Sequence, residues 1–314
     1  MLDEAGDVIL ADLDRESLHS QAAMSDVLWV RLRHRIDEAL IQRAPRLRVL
    51  VTPTTGLNHI DTEALSRGGI HLISLRGEID FLRDVRATAE HTIGLILALL
   101  RRIPQAAAGV RAGNWNRDAF KGSELYGKTV GVVGYGRLGQ IVARYLRAFD
   151  TRVLVTDRKI GPGPVAPDIN AVALDQLLAE SDLVTIHVDL REDTFGFFSA
   201  PQFDRMKWGS HFINTSRGEL IDEGALLENL RSGRIASAAL DVLCHENSEG
   251  MPDHPLIQFA CAHENLLITP HIGGCTRESM HKAECFLAEK LAGFLHEKGF
   301  AGTGQVRLEE TSAR

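Results

Sequence analysis

The chain has 314 residues, of which 44% are hydrophobic and 25% are charged, and at roughly 150 residues per domain this length predicts two globular domains. A formal net charge of −7 argues against nucleic acid as a partner, because proteins that bind nucleic acid usually carry a basic face. The composition is ordinary for a globular protein, which excludes the disordered and collagen-like classes. No stretch reaches the roughly 18 uninterrupted apolar residues of a membrane span, which excludes the membrane class.

The cysteines predict a reducing compartment. They form no CxxC pair, and four cysteines in a chain of this length are far below the density of a disulfide scaffold. The opening segment MLDEAGDVILAD has neither the basic nor the apolar region of a signal peptide. We therefore expect a cytoplasmic protein with four thiols, which are Cys244, Cys261, Cys275 and Cys285.

The first part of the chain alternates apolar runs with leucine-spaced segments, which predicts a smaller α/β unit. The predicted strands are Asp7–Ala11, Val27–Val30, Arg48–Thr52 and Ile70–Ser74. An apolar helical stretch, ATAEHTIGLILALLRRI, follows from Ala87 to Ile103 and is expected to stop at Pro104. It is long enough to join two domains.

Between about Lys128 and His271, continuous apolar runs alternate with amphipathic stretches, which predicts a parallel sheet covered by helices. The runs are Thr129–Val133, Arg152–Thr156, Leu183–His187, His211–Asn214, Ile235–Val242 and Leu266–Thr269. One helix is well marked, with Asp222 as its N-cap and Gly233 as its C-cap. We expect GPGPVAP at 161–167 to be a loop and the chain after Thr276 to be a helix that returns to the first unit.

A glycine-rich turn follows the first of these strands. Gly134, Gly136 and Gly139 form GxGxxG between the strand TVGVV and a helical segment, which is the context that a dinucleotide-binding turn requires. Asp157 closes the next strand 18 positions beyond the last glycine (157 − 139), near the place where an acid binds the adenosine ribose. The motif predicts NAD rather than NADP, although Arg158 and Lys159 leave some tolerance of a 2′-phosphate open.

Three segments place polar residues at the carboxyl ends of predicted strands, where ligands bind in open α/β sheets. They are INTSRG (213–218), AALDVLCHE (238–246) and LLITPHIGG (266–274). Taken singly, Arg217, Glu246 and His271 are each more simply explained as a surface or loop residue. Only their order and their shared position at strand ends favour a catalytic site.

These segments, with TGLNHID (55–61), TAEHT (88–92), GYGRLG (134–139) and the long match MK…INTSRGELIDEGAL…GRIASAALDV (206–242), identify a family. From about residue 7 to residue 299 the chain resembles the D-isomer-specific 2-hydroxyacid dehydrogenases, which include phosphoglycerate dehydrogenase, glyoxylate/hydroxypyruvate reductase and D-lactate dehydrogenase. The resemblance implies an α/β fold of two Rossmann-like domains. A doubly wound parallel-sheet NAD-binding domain would span 93–274, and a smaller flavodoxin-like substrate domain would combine 1–92 and 275–314.

The resemblance also implies a mechanism. Arg217 would hold the substrate carboxylate and polarise the C2 carbonyl. His271 would be the general acid in reduction and the base in oxidation, and Glu246 would hydrogen-bond it and favour its protonated form. The active site is expected between the domains, with crossings near Ala89–Leu95 and His271–Thr276 acting as hinges.

Further positions match the cofactor and substrate residues of the family. The cofactor set is Gly134, Gly136, Arg137, Leu138, Gly139, Asp157, His187, Val188, Thr215, Ser216, Asp241 and Gly273. On the substrate side, Thr55 and Gly56 match a loop whose backbone N–H groups bind the carboxylate. The family is generally dimeric through the nucleotide domain, so we expect a homodimer that uses the long helix and the GNWN arm (113–116).

Two departures from the family stand out. Only six residues precede the segment DVILAD, so one strand of the family pattern is expected to be missing. Before TAEHT the chain reads SLRGEIDFLRDVRA, which brings in Arg76, Arg83 and Arg86. These arginines, Arg76 above all, either meet a second anionic group on the substrate or form a solvated face paired with nearby carboxylates.

Other functions stay open at this point. A dinucleotide-sensing corepressor of the same fold, or a short phosphoglycerate dehydrogenase, would share these motifs. Formate dehydrogenase is disfavoured, because that branch pairs its histidine with glutamine instead of Glu246. We expect no metal, because His245, His254 and His263 are nine residues apart with no period that would bring them together, and we interpret them as loop residues.

Overall fold

The computed structural model describes residues 6–246, 251–299 and 306–308, and the chain divides into two compact units. One unit combines Met1–Leu82 with Arg277–Arg314, and the other is Arg83–Thr276. The sequence analysis predicts bounds at 92/93 and 274/275, whereas the compact units meet at 82/83 and 276/277. The predicted bound at 92/93 lies inside a continuous helix, Ala87–Leu100. The roles assigned to the two domains stay a prediction.

The first unit begins with four strands and four helices in strict alternation. The strands are β1 (Val8–Leu10), β2 (Val27–Trp29), β3 (Val49–Thr52) and β4 (His71–Ser74). The helices are α1 (Arg15–Ala22), α2 (Glu38–Gln42), α3 (Thr62–Arg67) and α4 (Ile79–Leu82). Three aspartates start the first three helices, because Asp14, Asp37 and Asp61 each accept a hydrogen bond from a backbone N–H three residues on.

The sheet of the first unit is parallel and has the order β2-β3-β4. Its central strand is buried at all four positions, as expected for a strand that is covered on both faces. The predicted strand near the start of the chain exists, but β1 pairs in parallel with a separate strand near the end of the chain, Val306–Leu308. It therefore does not extend the main sheet of this unit.

The second unit carries the larger sheet. Its strands are β5 (Thr129–Val133), β6 (Arg152–Thr156), β7 (Gly163–Ala166), β8 (Ile169–Ala171), β9 (Leu183–Ile186), β10 (Ser210–Asn214), β11 (Ile235–Leu240) and β12 (Leu266–Ile268). Its helices are α5 (Ala87–Leu100), α6 (Ile103–Arg111), α7 (Arg137–Arg147), α8 (Leu174–Glu180), α9 (Ala200–Arg205), α10 (Glu223–Ser232) and α11 (Pro255–Ala262). The chain then returns to the first unit through α12 (Arg277–Glu297) and β13 (Val306–Leu308), so the predicted terminal helix is confirmed.

The strand order of the second unit defines where a ligand can bind. The order is β12-β11-β10-β9-β5-β6-β8-β7, and every neighbouring pair is parallel except β7 with β8. From β5 the sheet continues outward through β6 to the hairpin of β8 and β7, and from β9 it continues in the other direction through β10, β11 and β12, so the order reverses between β5 and β9. A crevice at the carboxyl ends of such a pair is the usual ligand site of an open α/β sheet. The predicted doubly wound parallel sheet is confirmed.

Two local expectations were wrong, both at prolines. The segment 161–167 is not a plain loop, because residues Gly163–Ala166 form β7 and pair with β8. An edge strand tolerates Pro164, since its outer side makes no ladder hydrogen bond. Pro104 does not end the preceding helix, because α5 already stops at Leu100 and Arg102 turns the chain with φ of 51°. Pro104 lies in the first turn of α6, where the N–H that proline lacks would have no acceptor inside the helix. By contrast, α10 has the predicted cap residues Asp222 and Gly233.

In the part of the chain that the structure describes, no single helix is long and apolar enough to cross a membrane. Among the described residues, one pair of segments reaches that length and composition when both are counted together: Ile79–Leu100 and Ile103–Arg111, which are bent by 63°.

Two histidines, one on β10 and one directly after β9, are expected to make stability depend on pH. Burial lowers the pKa of His211 on β10 to about 4, with Lys128 acting in the same direction and Asp182 against it. Burial lowers the pKa of His187 to about 4 as well, against 6.5 in an unfolded chain. The unfolded chain therefore binds protons that the folded chain does not. This contribution to stability is complete above pH 6.5 and is lost as the pH falls through 4.

We expect His211→Gln to make the protein less sensitive to acid. The difference between the free energies of unfolding at pH 7.5 and pH 4.5, measured by urea titration, should shrink by roughly 2–3 kcal/mol relative to wild type. His296→Gln is the matched control, because His296 is exposed on α12. Equal pH dependence in His211→Gln and wild type would contradict the expectation.

Candidate active site

The glycine turn after β5 is shaped by close backbone contacts. Gly134 has φ of 94°, and a Cβ on it would collide with the carbonyl oxygen of His187 at the end of β9. A Cβ on Gly139 would collide with the carbonyl oxygen of Gly134. A Cβ on Gly136 would meet nothing within 4 Å. The first and third glycines are thus required by the protein's own backbone, whereas the second leaves open space before the first turn of α7.

That open space suits an anionic ligand. Arg137 and Leu138 are the first residues of α7, and the N–H groups of a first helical turn have no acceptor inside the helix. The partial positive charge of a helix N-terminus adds to this preference for an anion. The Arg137 side chain turns back and donates a hydrogen bond to the Val85 carbonyl oxygen at 3.0 Å. Burial lowers the pKa of Arg137, and the Asp189 carboxylate opposes that effect.

Asp157 follows β6 and lies beside the glycine turn. Its Oδ2 accepts a hydrogen bond from the Tyr135 N–H at 2.9 Å, and its Oδ1 accepts one from the Lys159 N–H at 2.9 Å. The carboxylate is therefore fixed next to the turn, as an acid that binds ribose hydroxyls must be. Arg158 forms an ion pair with Asp193 at 3.4 Å. Turn, helix start and acid together fit a dinucleotide.

His187 and Val188 follow β9 on the other side of the crevice. The Nε2 atom of His187 lies 3.0 Å from the Thr185 hydroxyl oxygen, and its Nδ1 atom is buried without a hydrogen-bond partner. Burial lowers the pKa of this ring to about 4, so the imidazole is neutral at physiological pH. A buried polar atom of this kind, beside the glycine turn, is a position at which a bound ligand can supply the missing partner.

The loop after β10 is held by a residue that the sequence analysis did not single out. The Asn214 side chain accepts a hydrogen bond from the Ser216 N–H at 3.0 Å and donates one to the Arg217 carbonyl oxygen at 2.8 Å. Ser216 also donates its hydroxyl to the Ile186 carbonyl oxygen at 2.8 Å. Asn214 thus sets the direction in which Arg217 leaves the sheet.

Thr215 and Arg217 occupy a largely dry environment. The Thr215 hydroxyl lies 2.9 Å from the Thr92 hydroxyl on α5, and both threonines are buried. Arg217 donates a hydrogen bond to the Ser216 carbonyl oxygen at 2.6 Å. Burial lowers the pKa of Arg217, and nearby carboxylates, first that of Glu246, act against this effect. An arginine stays charged under such conditions, so Arg217 places a positive charge at this edge of the sheet that favours an anion.

Glu246 and His271 form the pair that the sequence analysis predicted. The Nδ1 atom of His271 makes a short hydrogen bond with Oε1 of Glu246. Both side chains are about one-fifth exposed. His271 has a left-handed backbone, with φ of 52°, and its N–H donates to the Asp241 carbonyl oxygen at 2.8 Å. With Nδ1 engaged by the carboxylate, Nε2 is the ring atom that can exchange a proton with a ligand.

Asp241 organises the segment that carries His271. It is 1% exposed, and its carboxylate accepts hydrogen bonds from the Thr269 hydroxyl at 2.6 Å, the Ile272 N–H at 2.9 Å and the Gly273 N–H at 2.7 Å. Burial acts to raise the pKa of Asp241, but the hydrogen bonds to its carboxylate, first that with His91, have the larger opposite effect. The pKa of Asp241 is therefore lowered. Asp241 and Gly273 are therefore tied to each other, and their predicted contact with the cofactor stays a prediction.

His91 is a second residue that the sequence analysis missed. Its Nε2 atom lies 3.1 Å from Oδ1 of Asp241 and 3.1 Å from the Thr269 hydroxyl oxygen. The only signal was its place in TAEHT, where the motif was noted without a role for this side chain. His91 therefore helps to hold Asp241, which in turn holds the segment that carries His271.

The predicted substrate residues belong to the first unit. Thr55 and Gly56 follow β3, and the Gly56 carbonyl oxygen accepts a hydrogen bond from the Thr54 hydroxyl at 2.9 Å. Arg76 is exposed, and its N–H donates to the Ser74 hydroxyl at 3.3 Å. Glu78, one of the carboxylates close in sequence to Arg76, pairs with Lys290 on α12. The roles of Thr55, Gly56 and Arg76 stay predictions.

The three evenly spaced histidines have separate environments, and two of them border a helix. His245 lies in a turn with φ of 54°, His254 caps the start of α11, and His263 follows its end. Within residues 6–246 and 251–299, no group of three histidine, cysteine, aspartate or glutamate side chains could hold a metal ion.

Comparison with known proteins agrees with this geometry. Residues 93–273 match the family described as D-isomer specific 2-hydroxyacid dehydrogenase, NAD binding domain. The chain is 36% identical over 306 residues to a glyoxylate reductase from Thermofilum pendens, covering 94% of this chain and 87% of that protein. It is also 36% identical over 280 residues to a D-3-phosphoglycerate dehydrogenase from Archaeoglobus fulgidus, covering 89% of this chain.

The chain spans only 51% of the length of that phosphoglycerate dehydrogenase. Among solved structures, the D-lactate dehydrogenase from Aquifex aeolicus complexed with NAD and lactic acid aligns with a TM-score of 0.77 at 26% identity. The alignment covers 95% of this chain and 91% of that one.

Proposed function

Since the chain belongs to the D-isomer specific 2-hydroxyacid dehydrogenase family, we propose that it transfers hydride between a nicotinamide cofactor and C2 of a small 2-oxo acid or (R)-2-hydroxy acid. The observation that carries the proposal is the contact between His271 and Glu246 at the carboxyl edge of a sheet that also presents Arg217. An acid–base pair beside a buried guanidinium is what reduction of a carbonyl next to a carboxylate requires.

In the proposed reaction, NADH supplies the hydride to C2 when it is bound. Arg217 holds the substrate carboxylate and polarises the C2 carbonyl through its fixed fork of donors. His271 gives a proton from Nε2 to the C2 oxygen, while Glu246 orients the ring and stabilises its positive charge. The products are the 2-hydroxy acid and NAD⁺, and in the reverse direction His271 takes the proton back. The C2 carbonyl is thus reduced by the hydride and a proton from the histidine.

Cofactor binding is assigned to the second unit. Arg137 and Leu138 would meet the pyrophosphate with backbone N–H groups, and Asp157 would bind the adenosine ribose. The remaining cofactor positions are His187, Val188, Thr215, Ser216, Asp241 and Gly273. NAD is favoured over NADP because the carboxylate of Asp157 is fixed beside the turn and would repel a 2′-phosphate.

In the first unit, we assign the substrate carboxylate to the backbone of Thr55 and Gly56. Arg76 is assigned to a second anionic group where the substrate has one. None of the cysteines in the described part of the chain forms a disulfide, which supports a reducing compartment such as the cytoplasm as the location.

The decisive experiment is a panel of 2-oxo acids assayed by loss of NADH or NADPH absorbance. The panel contains glyoxylate, hydroxypyruvate, pyruvate, 2-oxoglutarate and 3-phosphohydroxypyruvate, and His271→Ala is the control. Turnover that the control abolishes supports the dehydrogenase and ranks its substrates. If folded protein binds NADH and turns over none of these acids, the dinucleotide-sensing alternative gains support and the dehydrogenase proposal fails for this substrate class.

A homodimer is the second part of the proposal. Helix α6 has no buried residue, and it presents Ile103 and Val110, which are 52% and 49% exposed. Trp115, in the arm that follows, is 85% exposed. Burying such apolar surface against a second copy would be favourable.

We expect sedimentation equilibrium to give twice the chain mass of 34.5 kDa, and Val110→Asp to shift the protein toward monomer. Val165→Asp, on the edge strand β7, is the matched control, since Val165 is also exposed. A monomeric wild-type protein at micromolar concentration, or an unchanged mass in Val110→Asp, would contradict this interface.

A further inference from the structure

A second pair of carboxylate and imidazole lies beside the turn that carries Glu246. Glu223 is the first residue of α10, and His254 immediately precedes α11. The Nε2 atom of His254 lies 3.1 Å from Oε2 of Glu223, and each side chain is only 14% exposed. Neither residue has a part in the proposed chemistry, and the sequence analysis treated His254 as a loop residue. Burying two titratable side chains costs free energy unless they interact with each other or with other groups, so their place in the fold needs an explanation.

The Glu223 carboxylate connects three segments. Its Oε1 accepts a hydrogen bond from the Cys244 N–H at 2.8 Å, while its Oε2 faces His254. The helix start, the turn after β11 and the start of α11 therefore meet at one side chain. The thiol of Cys244 adds no charge there, because burial and the Glu223 carboxylate raise its pKa to about 12.

The hydrogen bonds also define the tautomer of His254. Its Nδ1 accepts the Leu256 N–H at 3.3 Å and so caps α11. A ring nitrogen that accepts a hydrogen bond carries no proton. In the neutral ring the proton is therefore on Nε2, which donates to Glu223. One imidazole links a helix cap to the carboxylate that holds the turn.

The turn held in this way determines where Glu246 lies. Glu246 is two residues beyond Cys244, and its Oε2 accepts the Leu243 N–H at 3.4 Å while its Oε1 meets His271. Between them, His245 adopts a left-handed backbone with φ of 54°. A non-glycine residue persists in that region only when its surroundings hold it there. The hydrogen bond from Cys244 to Glu223 is the restraint next to it.

We propose that Glu223 and His254 are positioning residues that hold Glu246 against Nδ1 of His271 through the backbone of Cys244. Neither has an assigned contact with substrate or cofactor. Their effect on turnover rests on the proposed function, whereas their effect on the hydrogen bond between Glu246 and His271 does not. Both readouts can be measured on the same variants of the full chain.

Three variants separate positioning from helix stability. His254→Asn keeps a side chain that can cap α11 but cannot reach Glu223 as the imidazole does. Glu223→Gln keeps the shape of the side chain but has a single acceptor oxygen, so it cannot accept from both the Cys244 N–H and Nε2 of His254. Asp222→Ala is the control, because Asp222 caps the same helix by accepting the Ala225 N–H at 3.0 Å and has no bond to the turn.

The first readout is the proton NMR signal of the Nδ1–H group of His271, identified by its absence in His271→Ala. Glu246→Gln gives the reference position of this signal for a weakened pair. We expect His254→Asn and Glu223→Gln to move the signal toward that reference, and Asp222→Ala to leave it at the wild-type position. Thermal melting of each variant gives the loss of stability separately.

The second readout is kinetic. We expect kcat for the best 2-oxo acid to fall by about 10-fold to 100-fold in His254→Asn and Glu223→Gln, with KM for NADH unchanged. Asp222→Ala should melt at a lower temperature and keep its kcat. If both positioning variants keep the wild-type signal and kcat, the inference is overturned. If wild type turns over no 2-oxo acid, the proposed function fails while the NMR signal still decides the positioning role.

Discussion

His271→Gln is expected to lower kcat for reduction of the best 2-oxo acid by about 10²-fold to 10⁴-fold, the usual contribution of a positioned acid–base group. Glutamine can still meet Glu246 through its amide, but it has no proton to give to the C2 oxygen. The measurement is steady-state NADH oxidation under saturating cofactor. The affinity for NADH, measured by fluorescence titration, should stay within a few-fold of wild type, because the glycine turn and Asp157 are untouched.

Glu246→Gln serves as the partner variant for this experiment. It keeps a hydrogen-bond acceptor for Nδ1 of His271 and removes the negative charge that stabilises a protonated ring. Its loss of kcat should be smaller than that of His271→Gln, because the proton carrier is still present. If His271→Gln retained more than a tenth of the wild-type kcat, His271 would not be the proton donor.

Arg217→Lys is expected to lower kcat/KM for 2-oxo acids by about 10²-fold to 10³-fold, with contributions from both constants. Lysine keeps the positive charge, but a compact ammonium cannot make the two parallel hydrogen bonds with which a guanidinium holds a carboxylate. Part of the loss appears in kcat, because donors directed at the developing charge on oxygen act mainly in the transition state. Stopped-flow and steady-state assays with the same substrate separate the two parts.

The control for this variant is Arg234→Lys. Arg234 lies at the start of β11, where its guanidinium packs over the Trp208 ring and donates to the Asp204 carbonyl oxygen at 3.0 Å. It is far along the strands from the carboxyl edge, so its substitution should leave kcat/KM unchanged. Wild-type kcat/KM in Arg217→Lys would show that the substrate carboxylate is held by other groups.

The large sheet was predictable because its strands are buried on both faces. Strands such as β5 and β6 contain nearly continuous apolar residues bounded by turn formers, and both were placed at their observed ends. The hairpin of β7 and β8 was missed because an edge strand may contain proline, and proline and glycine otherwise indicate loops. Edge strands lack the burial that makes central strands recognisable.

The residues of the candidate site could be recognised for a different reason. Arg217, Glu246 and His271 stand at the ends of recognisable strands in an order that a known family shares. Their supports were not predictable, because an interaction such as that of His91 with Asp241 joins residues 150 positions apart. Glu223 and His254 likewise come into contact only because α10 and α11 place them next to each other in the fold. Hydrogen bonds between distant segments leave no local pattern in a sequence.

The left-handed backbone of His271 has a consequence for engineering this protein. A residue other than glycine or asparagine at φ of 52° costs on the order of 1 kcal/mol, and glycine or asparagine would relieve most of that cost. A laboratory screen that rewards heat resistance alone is therefore expected to recover glycine or asparagine at position 271. A screen that rewards turnover would keep the histidine, so heat-resistant libraries of this chain should be sorted for both properties at once.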